Sequence, residues 1–149
     1  KNQIRTPIIW ENVRLDVYTH NFALEYIKKK KPKLVYIAYG ETDDFAHDGE
    51  YDFYINSLNY TDNMIAELWN YVQGNKFYKD NTYFIITTDH GRGLMEDWTG
   101  HGTSKASWLA ILGPNIKKTG LVEGKFYTNQ IAETIMQISK KSKTKIPTD

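Results

Sequence analysis

The chain has 149 residues, a net charge of +1 at pH 7 and a pI near 8.0, with 40% hydrophobic and 14% aromatic residues. This length suits one domain with a real core, and this composition excludes a disordered chain. The balanced charge argues against nucleic acid as a partner, and no apolar run approaches the roughly 18 residues that span a membrane. The sequence contains no cysteine, which excludes thiolate metal sites and disulfides.

The first half of the chain predicts a helix, a buried strand, a polar loop and a long helix. The first helix covers 16–30 and ends before Pro32, which cannot continue it. Residues 34–39 are a nearly continuous apolar run, typical of a strand buried on both faces of a parallel sheet. A polar loop over 40–50 follows, and apolar side chains three, four and seven apart then predict a helix over 51–72.

The second half of the chain predicts two more strands and a last helix. Residues 82–88 and 108–112 are short apolar runs, separated by a polar loop rich in glycine over 89–107. Apolar spacing predicts the last helix over 130–139, before a polar tail over 140–149. The order of elements predicts an α/β fold whose mainly parallel sheet is flanked by helices, with residues 1–149 as a single domain or a fragment of one.

Three polar segments carry histidines or aspartates: Asp43-x-x-x-His47, Asp89-His90-Gly91 and His101-Gly102. The first directly follows the strand predicted over 34–39 and the second follows the strand predicted over 82–88, while the third lies further along the loop over 89–107. Ligands of open α/β sheets bind outside the carboxyl ends of the strands. If the first two strands are parallel, the segments that follow them emerge at the same edge of the sheet. Three of the four histidines can then converge there.

Carboxylates and imidazoles without thiolates suit divalent zinc, manganese, iron or cobalt. Asp43 and His47 are four residues apart, so one helical turn or a tight loop brings both to one ion, and His101 adds a third ligand. The adjacent Asp89 and His90 can share an ion only where the strand has ended. Five ligands are too many for one ion with an open position, so the sequence predicts two divalent ions.

Some neighbouring residues have alternative interpretations. Asp44 could replace Asp43 as the ligand, although the resemblance described below favours Asp43. Arg92 could meet a phosphate group, but an exposed loop arginine is the favoured interpretation. Trp98 could shield the site, stack on a substrate or pack within the protein. His20 is interpreted as a surface or helix-end histidine.

These segments resemble the alkaline phosphatase superfamily, which includes nucleotide pyrophosphatases, cofactor-independent phosphoglycerate mutases and sulfatases. Residues 36–49 are similar to its D-x-x-G-H-x-x-G segment, with Ala46 where glycine is usual. Residues 85–93 resemble its (S/T)-D-H-G segment and 99–102 its later H-G. Residues 108–115 are similar to the strand that follows in that family.

The resemblance implies that Asp43, His47 and His101 hold one ion, and that Asp89 and His90 hold a second. It implies two Zn²⁺ ions, with Mn²⁺ as the alternative, and a small phosphate or sulfate ester as the substrate. The remaining aspartate ligand and the nucleophile are expected before residue 1, so no catalytic or substrate-binding residue is assigned. The chain is then the C-terminal part of a catalytic domain that is completed by its N-terminal half. The resemblance also favours a periplasmic or extracellular location. No membrane partner is expected, because the sequence has no apolar run long enough to span a bilayer.

Two hypotheses from other classes stay open. The chain could be a non-catalytic metal-binding module or an inactive fragment, since it offers three ligands for one ion and two for the other. A mononuclear iron oxygenase would also use two histidines and one carboxylate. That hypothesis leaves Asp89 and His90 unexplained.

Overall fold

The computed structural model describes residues 9–11, 13–101, 106–117 and 120–141. The elements in this part of the chain are α1 (Asp16–Lys30), α2 (Glu41–His47), α3 (Tyr51–Gly74), β1 (Phe84–Thr87), a short 3-10 helix (Met95–Asp97), β2 (Leu109–Leu112) and α4 (Asn129–Lys141). Two compact units divide the chain, one up to Pro114 and one from Asn115 onward, and each is described by itself.

Helix α1 has the bounds that the sequence predicts. Its buried residues are Asp16, His20 and Leu24, which are four apart and therefore share one face of the helix. Lysines fill its last turn, where positive charge suits the helix dipole. Lys31 then adopts a left-handed conformation (φ 48°) that ends the helix before Pro32.

The apolar core of the first unit lies where α1 packs against α3. Leu24 of α1 and Leu68 and Val72 of α3 are each at most 5% exposed. Tyr78, just beyond α3, is also buried, and its hydroxyl donates to the backbone oxygen of Ile27 at 2.8 Å. The long helix predicted over 51–72 is confirmed, with two further residues at its end.

Residues 41–47 form helix α2, although the sequence predicts a polar loop there. Three acidic residues occupy the first turn of α2, where negative charge suits the helix N-terminus. Ala46 is fully buried, which shows that the helix packs against the protein. A turn with Gly49 at φ 76° connects α2 to α3; this backbone conformation is easy for glycine.

Strands β1 and β2 pair antiparallel, with Phe84 opposite Leu112 and Thr87 opposite Leu109. The prediction of a mainly parallel sheet is therefore not confirmed by the strands in the described ranges. Parallel pairing needs a crossover of a dozen or more residues, usually a helix. The segment between β1 and β2 has only one short 3-10 helix among its described residues, and the chain turns back instead.

The strand predicted over 34–39 is also absent from the described part of the chain, where the sheet has two strands. Its side chains are not buried on both faces, since Leu34 is 65% and Tyr36 is 90% exposed. A strand requires hydrogen-bonded partners, and these residues have no strand beside them within the described ranges. This segment still leads directly into α2.

The second unit contains α4, which is one residue longer at its start and two at its end than the predicted 130–139. It includes Lys140 and Lys141 of the predicted polar tail, whose remaining residues 142–149 lie outside the described part. None of the helices described is both long and apolar enough to cross a membrane.

Candidate metal centre

Helix α2 places Asp43 and His47 one turn apart on the same face. The Oδ2 atom of Asp43 lies 3.4 Å from Nε2 of His47. Both side chains are about 40% exposed, so they are open to a ligand from solvent. The helix, not a tight loop, brings this pair together.

His101 approaches α2 from a distant part of the chain. Its Nε2 lies 3.0 Å from Nε2 of His47, and its ring centroid is 4.1 Å from that of His90. One ligand atom from each of Asp43, His90 and His101 falls within 4.8 Å of the others. Four of the five predicted ligands are therefore neighbours.

His90 follows the end of β1, and its ring orientation is set by the backbone. Its Nδ1 lies 3.0 Å from the carbonyl oxygen of Gly91, to which a protonated Nδ1 donates. This leaves the lone pair of a neutral ring on Nε2, which lies 3.6 Å from Oδ1 of Asp43. A backbone partner of this kind commonly orients histidines that bind metals.

Asp89 stands at the edge of this cluster. Its side chain is 89% exposed, and its Oδ1 lies 3.6 Å from Nε2 of His90. The same oxygen accepts a hydrogen bond from the backbone N–H of His90 at 3.0 Å. His90, which the resemblance assigns with Asp89 to a second ion, is thus also close to Asp43 and His101.

Asp44, the alternative to Asp43, points to the start of α2. A Cβ atom added to Gly40, the residue before α2, would lie 3.7 Å from Oδ2 of Asp44. Burial raises the pKa of its carboxyl above the ordinary value, and the negative charge of Asp43 raises it further. The ion pair with His47 comes from Asp43.

The expectation that Arg92 is an exposed loop residue is wrong. Its side chain is only 16% exposed, and it forms an ion pair with Oδ1 of Asp43. It also donates to the backbone oxygens of Asp43, Thr99 and Gly100. Its position directly after Asp89-His90-Gly91 was the sequence signal that it belongs to the site.

Asp16 and Glu41 hold the start of α2 against the start of α1. The carboxylate of Asp16 accepts from the backbone N–H groups of Gly40 at 2.8 Å and Glu41 at 3.1 Å. In return, Oε1 of Glu41 accepts from the backbone N–H of Asp16 at 2.9 Å. Each carboxylate thereby satisfies donors at a helix N-terminus that have no partner within the helix. Burial raises the pKa of Asp16, while its hydrogen bonds to the backbone of Gly40 and Glu41 oppose that rise.

His20 is 2% exposed, so the interpretation as a surface histidine is also wrong. Its Nε2 lies 3.0 Å from Oε2 of Glu67, and its Nδ1 lies 3.0 Å from the hydroxyl of Tyr39. A neutral ring donates to the carboxylate and accepts from the hydroxyl. Burial, followed by the charges of Asp16 and Glu67, raises the pKa of Tyr39 to about 12, so this hydroxyl keeps its proton at neutral pH.

Trp98 packs against the first turn of α3. Its ring centroid is 5.5 Å from that of Tyr51 and 5.9 Å from that of Tyr54. The next residue, Thr99, lies beside the turn between α2 and α3. A Cβ atom added to Gly49 in that turn would lie 3.8 Å from Cγ2 of Thr99. The segment that leads to His101 therefore rests on the helices that carry Asp43 and His47.

The donor atoms of this cluster fit a divalent cation. Imidazole nitrogens and carboxylate oxygens suit zinc, manganese and related ions. Ligands with about 2 Å bonds to one ion lie roughly 3–3.5 Å apart. The separations of His47 from Asp43 and from His101 are 3.4 and 3.0 Å, which is close to that range.

Comparisons with known proteins identify the family. Residues 15–142 match the metalloenzyme superfamily. Searches of curated proteins and of solved structures found no match. Membership in this superfamily implies an alkaline-phosphatase-like α/β fold, the use of divalent metal and metal-dependent activity of the phosphoesterase or mutase type. The match covers α1 to α4 with every predicted ligand, and the chain therefore belongs to the metalloenzyme superfamily.

Proposed function

We propose that the chain is the metal-binding part of a hydrolase or transferase that acts on phosphate or sulfate esters of small molecules. The observation that carries this proposal is the convergence of Asp43, His90 and His101 from three separate segments, within 4.8 Å. His47 joins them through Asp43 and His101. A chance surface cluster would not combine this geometry with a match to the metalloenzyme superfamily.

In the proposed site Asp43, His47 and His101 hold one divalent ion, and Asp89 and His90 hold part of a second. Zn²⁺ is the proposed ion and Mn²⁺ the alternative, since both accept imidazole and carboxylate ligands. Two bound ions would stabilise the charge that develops on the attacking and leaving oxygens of a displacement. The hydroxyl nucleophile and the last aspartate ligand are proposed to come from outside this chain.

The protein residues have separate tasks in this scheme. Asp43 supplies negative charge between His47 and His90, since its two oxygens face one ring each. The carbonyl of Gly91 keeps Nε2 of His90 free to act as a ligand. The exposed carboxylate of Asp89 sits at the open side of the cluster, where a second ion and an ester would enter.

The test uses the full-length protein, with metal analysis and assays of a phosphomonoester, a phosphodiester and a sulfate ester. We expect about two ions per chain and turnover of at least one ester class. Asp89→Ala should lose the second ion and most of the turnover. Asp52→Ala, an exposed aspartate in the first turn of α3, is the matched control and should keep both. Full activity in Asp89→Ala would overturn the proposal.

A second candidate is a metal-binding module without catalysis. It is favoured by the exposure of Asp89, which stands apart from the close group of Asp43, His90 and His101. This candidate predicts one ion per chain or fewer and no turnover. A calorimetric titration that finds two tightly bound ions would rule it out.

A further inference from the structure

Both terminal nitrogens of Arg92 have acceptors within the protein. Nη1 donates to the backbone oxygens of Thr99 at 3.3 Å and Gly100 at 3.5 Å. Nη2 donates to the backbone oxygen of Asp43 at 3.1 Å and to the Oδ1 atom of its carboxylate. A guanidinium has five donors, four of which are on these two nitrogens. Both of these nitrogens are therefore already engaged by the protein.

The four acceptors belong to two segments that are far apart in sequence. Asp43 lies on α2, whereas Thr99 and Gly100 directly precede His101. Arg92 itself follows His90 by two residues. One side chain thus connects the three segments that carry the proposed ligands.

Arg92 also sets the orientation of the Asp43 carboxylate. The guanidinium is bound to Oδ1, and Oδ2 is left facing Nε2 of His47. The two contacts to Thr99 and Gly100 restrain the backbone that places His101 against His47. With 16% of its side chain exposed, Arg92 is mostly shielded from water, which strengthens these bonds to a charged group.

We propose that Arg92 is a positioning residue that assembles the metal centre, and that it is not a ligand for the substrate anion. The inference rests on the proposed function, because it concerns the metal ligands named there. Arg92 joins the turn after β1 to α2 and to residues 99–100. It thereby holds ligands from three segments at coordinating distance before an ion arrives.

Lysine cannot replace Arg92 in this role. Its ammonium is a single nitrogen with three donors, so it cannot reach four acceptors that a planar guanidinium meets with two separate nitrogens. Arg92→Lys keeps the positive charge next to Asp43 and removes the connection between the segments. The variant therefore separates the geometric role of Arg92 from its charge.

The experiment measures the binding of Zn²⁺ and Co²⁺ alone to the full-length protein, with the visible absorption spectrum of the Co²⁺ form as a report of ligand geometry. Arg92→Lys should weaken metal binding by about 10–100-fold, the usual effect of losing a partner that orients ligands. Its Co²⁺ spectrum should also change. Arg14→Lys is the matched control, since Arg14 is exposed and contacts Thr19 and Phe22; it should bind both ions as the unchanged protein does.

Unchanged affinity and an unchanged Co²⁺ spectrum in Arg92→Lys would overturn the inference. Normal metal binding with a higher KM for the ester would also overturn it, by assigning Arg92 to the substrate. If Arg92→Lys does not fold, Arg92→Gln is measured in the same way. Failure of both variants to fold, while Arg14→Lys folds, would assign Arg92 to general stability and also overturn the inference. Absence of ester turnover in a protein that binds metal would contradict the proposed function alone.

Discussion

The Nε2 atoms of His47 and His101 lie 3.0 Å apart, although 54 residues separate the two histidines in the sequence. Two nitrogens bound to one ion through bonds of about 2 Å lie roughly 3–3.5 Å apart, so this separation suits two ligands of one ion. The contact joins α2 to the segment before β2 through two of the predicted ligands.

Asp43→Asn should weaken the binding of Zn²⁺ by more than roughly 100-fold. Losing a residue that only orients a metal ligand weakens binding by roughly 10–100-fold, and Asp43 is proposed to be a ligand itself. The variant removes the negative charge that lies between His47 and His90. Asp44→Asn is the neighbouring control and should bind Zn²⁺ within a few-fold of the unchanged protein, because its carboxylate faces the start of α2. Calorimetric titration measures both, and a larger loss in Asp44→Asn would exchange the roles of the two aspartates.

The sequence predicts α3 well because it has a long apolar face. It predicts α1 mainly from its end before Pro32, since the buried face of α1 carries Asp16 and His20 beside Leu24. It does not predict α2, whose seven residues have no apolar period and are mostly polar. That helix depends on Asp16, which caps it from 24 residues away. The sequence also does not predict whether β1 and β2 pair parallel or antiparallel, because two short apolar runs fit both arrangements equally well.

The candidate site was more predictable than the sheet. The residue types and their positions in polar segments led to Asp43, His47, His90 and His101, which the structure places together. The parallel strands from which that convergence was expected are not present in the described ranges. The supporting residues were harder to find, because an arginine that meets backbone oxygens has no sequence pattern of its own. The sequence signal for the burial of His20 is the apolar Leu24, which lies four residues later on the same helix face.

Tyr39→Phe should lower the free energy of unfolding by about 1–3 kcal/mol, since it leaves a nitrogen of the buried His20 without its partner. Tyr36→Phe removes the same hydroxyl from a side chain that is 90% exposed, and its effect should stay within about 0.5 kcal/mol. Urea denaturation of both metal-free variants makes the comparison. Equal effects would show that the contact between Tyr39 and His20 contributes nothing to stability.

Asp16→Asn should remove a pH dependence of stability. Burial raises the pKa of Asp16 in the folded protein above its ordinary 3.8, so the folded state binds more protons than the unfolded state in the interval between the two values. The contribution of Asp16 to stability is therefore fully present below pH 3.8 and is lost as the pH rises through the raised pKa. The stability of the unchanged protein relative to Asp16→Asn should fall over that interval.

Denaturation series from acid to neutral pH, with a chelator present, measure this difference between the two proteins. Asp52→Asn is the control, because Asp52 is exposed in the first turn of α3. The stability of the unchanged protein relative to Asp52→Asn should not fall over the same pH interval. If the stability of the unchanged protein rises relative to that of Asp16→Asn as the pH increases, the hydrogen bonds from Gly40 and Glu41 outweigh the burial of the carboxylate.

Trp98→Ala should weaken the binding of Zn²⁺ and lower the free energy of unfolding. The expected loss of stability is about 1–3 kcal/mol, because each of two aromatic pairs contributes about 0.5–1.5 kcal/mol beyond its buried area. Trp98 makes two such pairs, with Tyr51 and Tyr54, and these hold the segment that ends at His101 against α3. Trp98→Phe keeps a ring there and should recover most of both properties. Titration with Zn²⁺, thermal unfolding and ester kinetics distinguish packing from substrate stacking. A raised KM with unchanged Zn²⁺ affinity and stability would mean that Trp98 contacts the ester. A purely packing role predicts a loss of Zn²⁺ affinity and of stability instead.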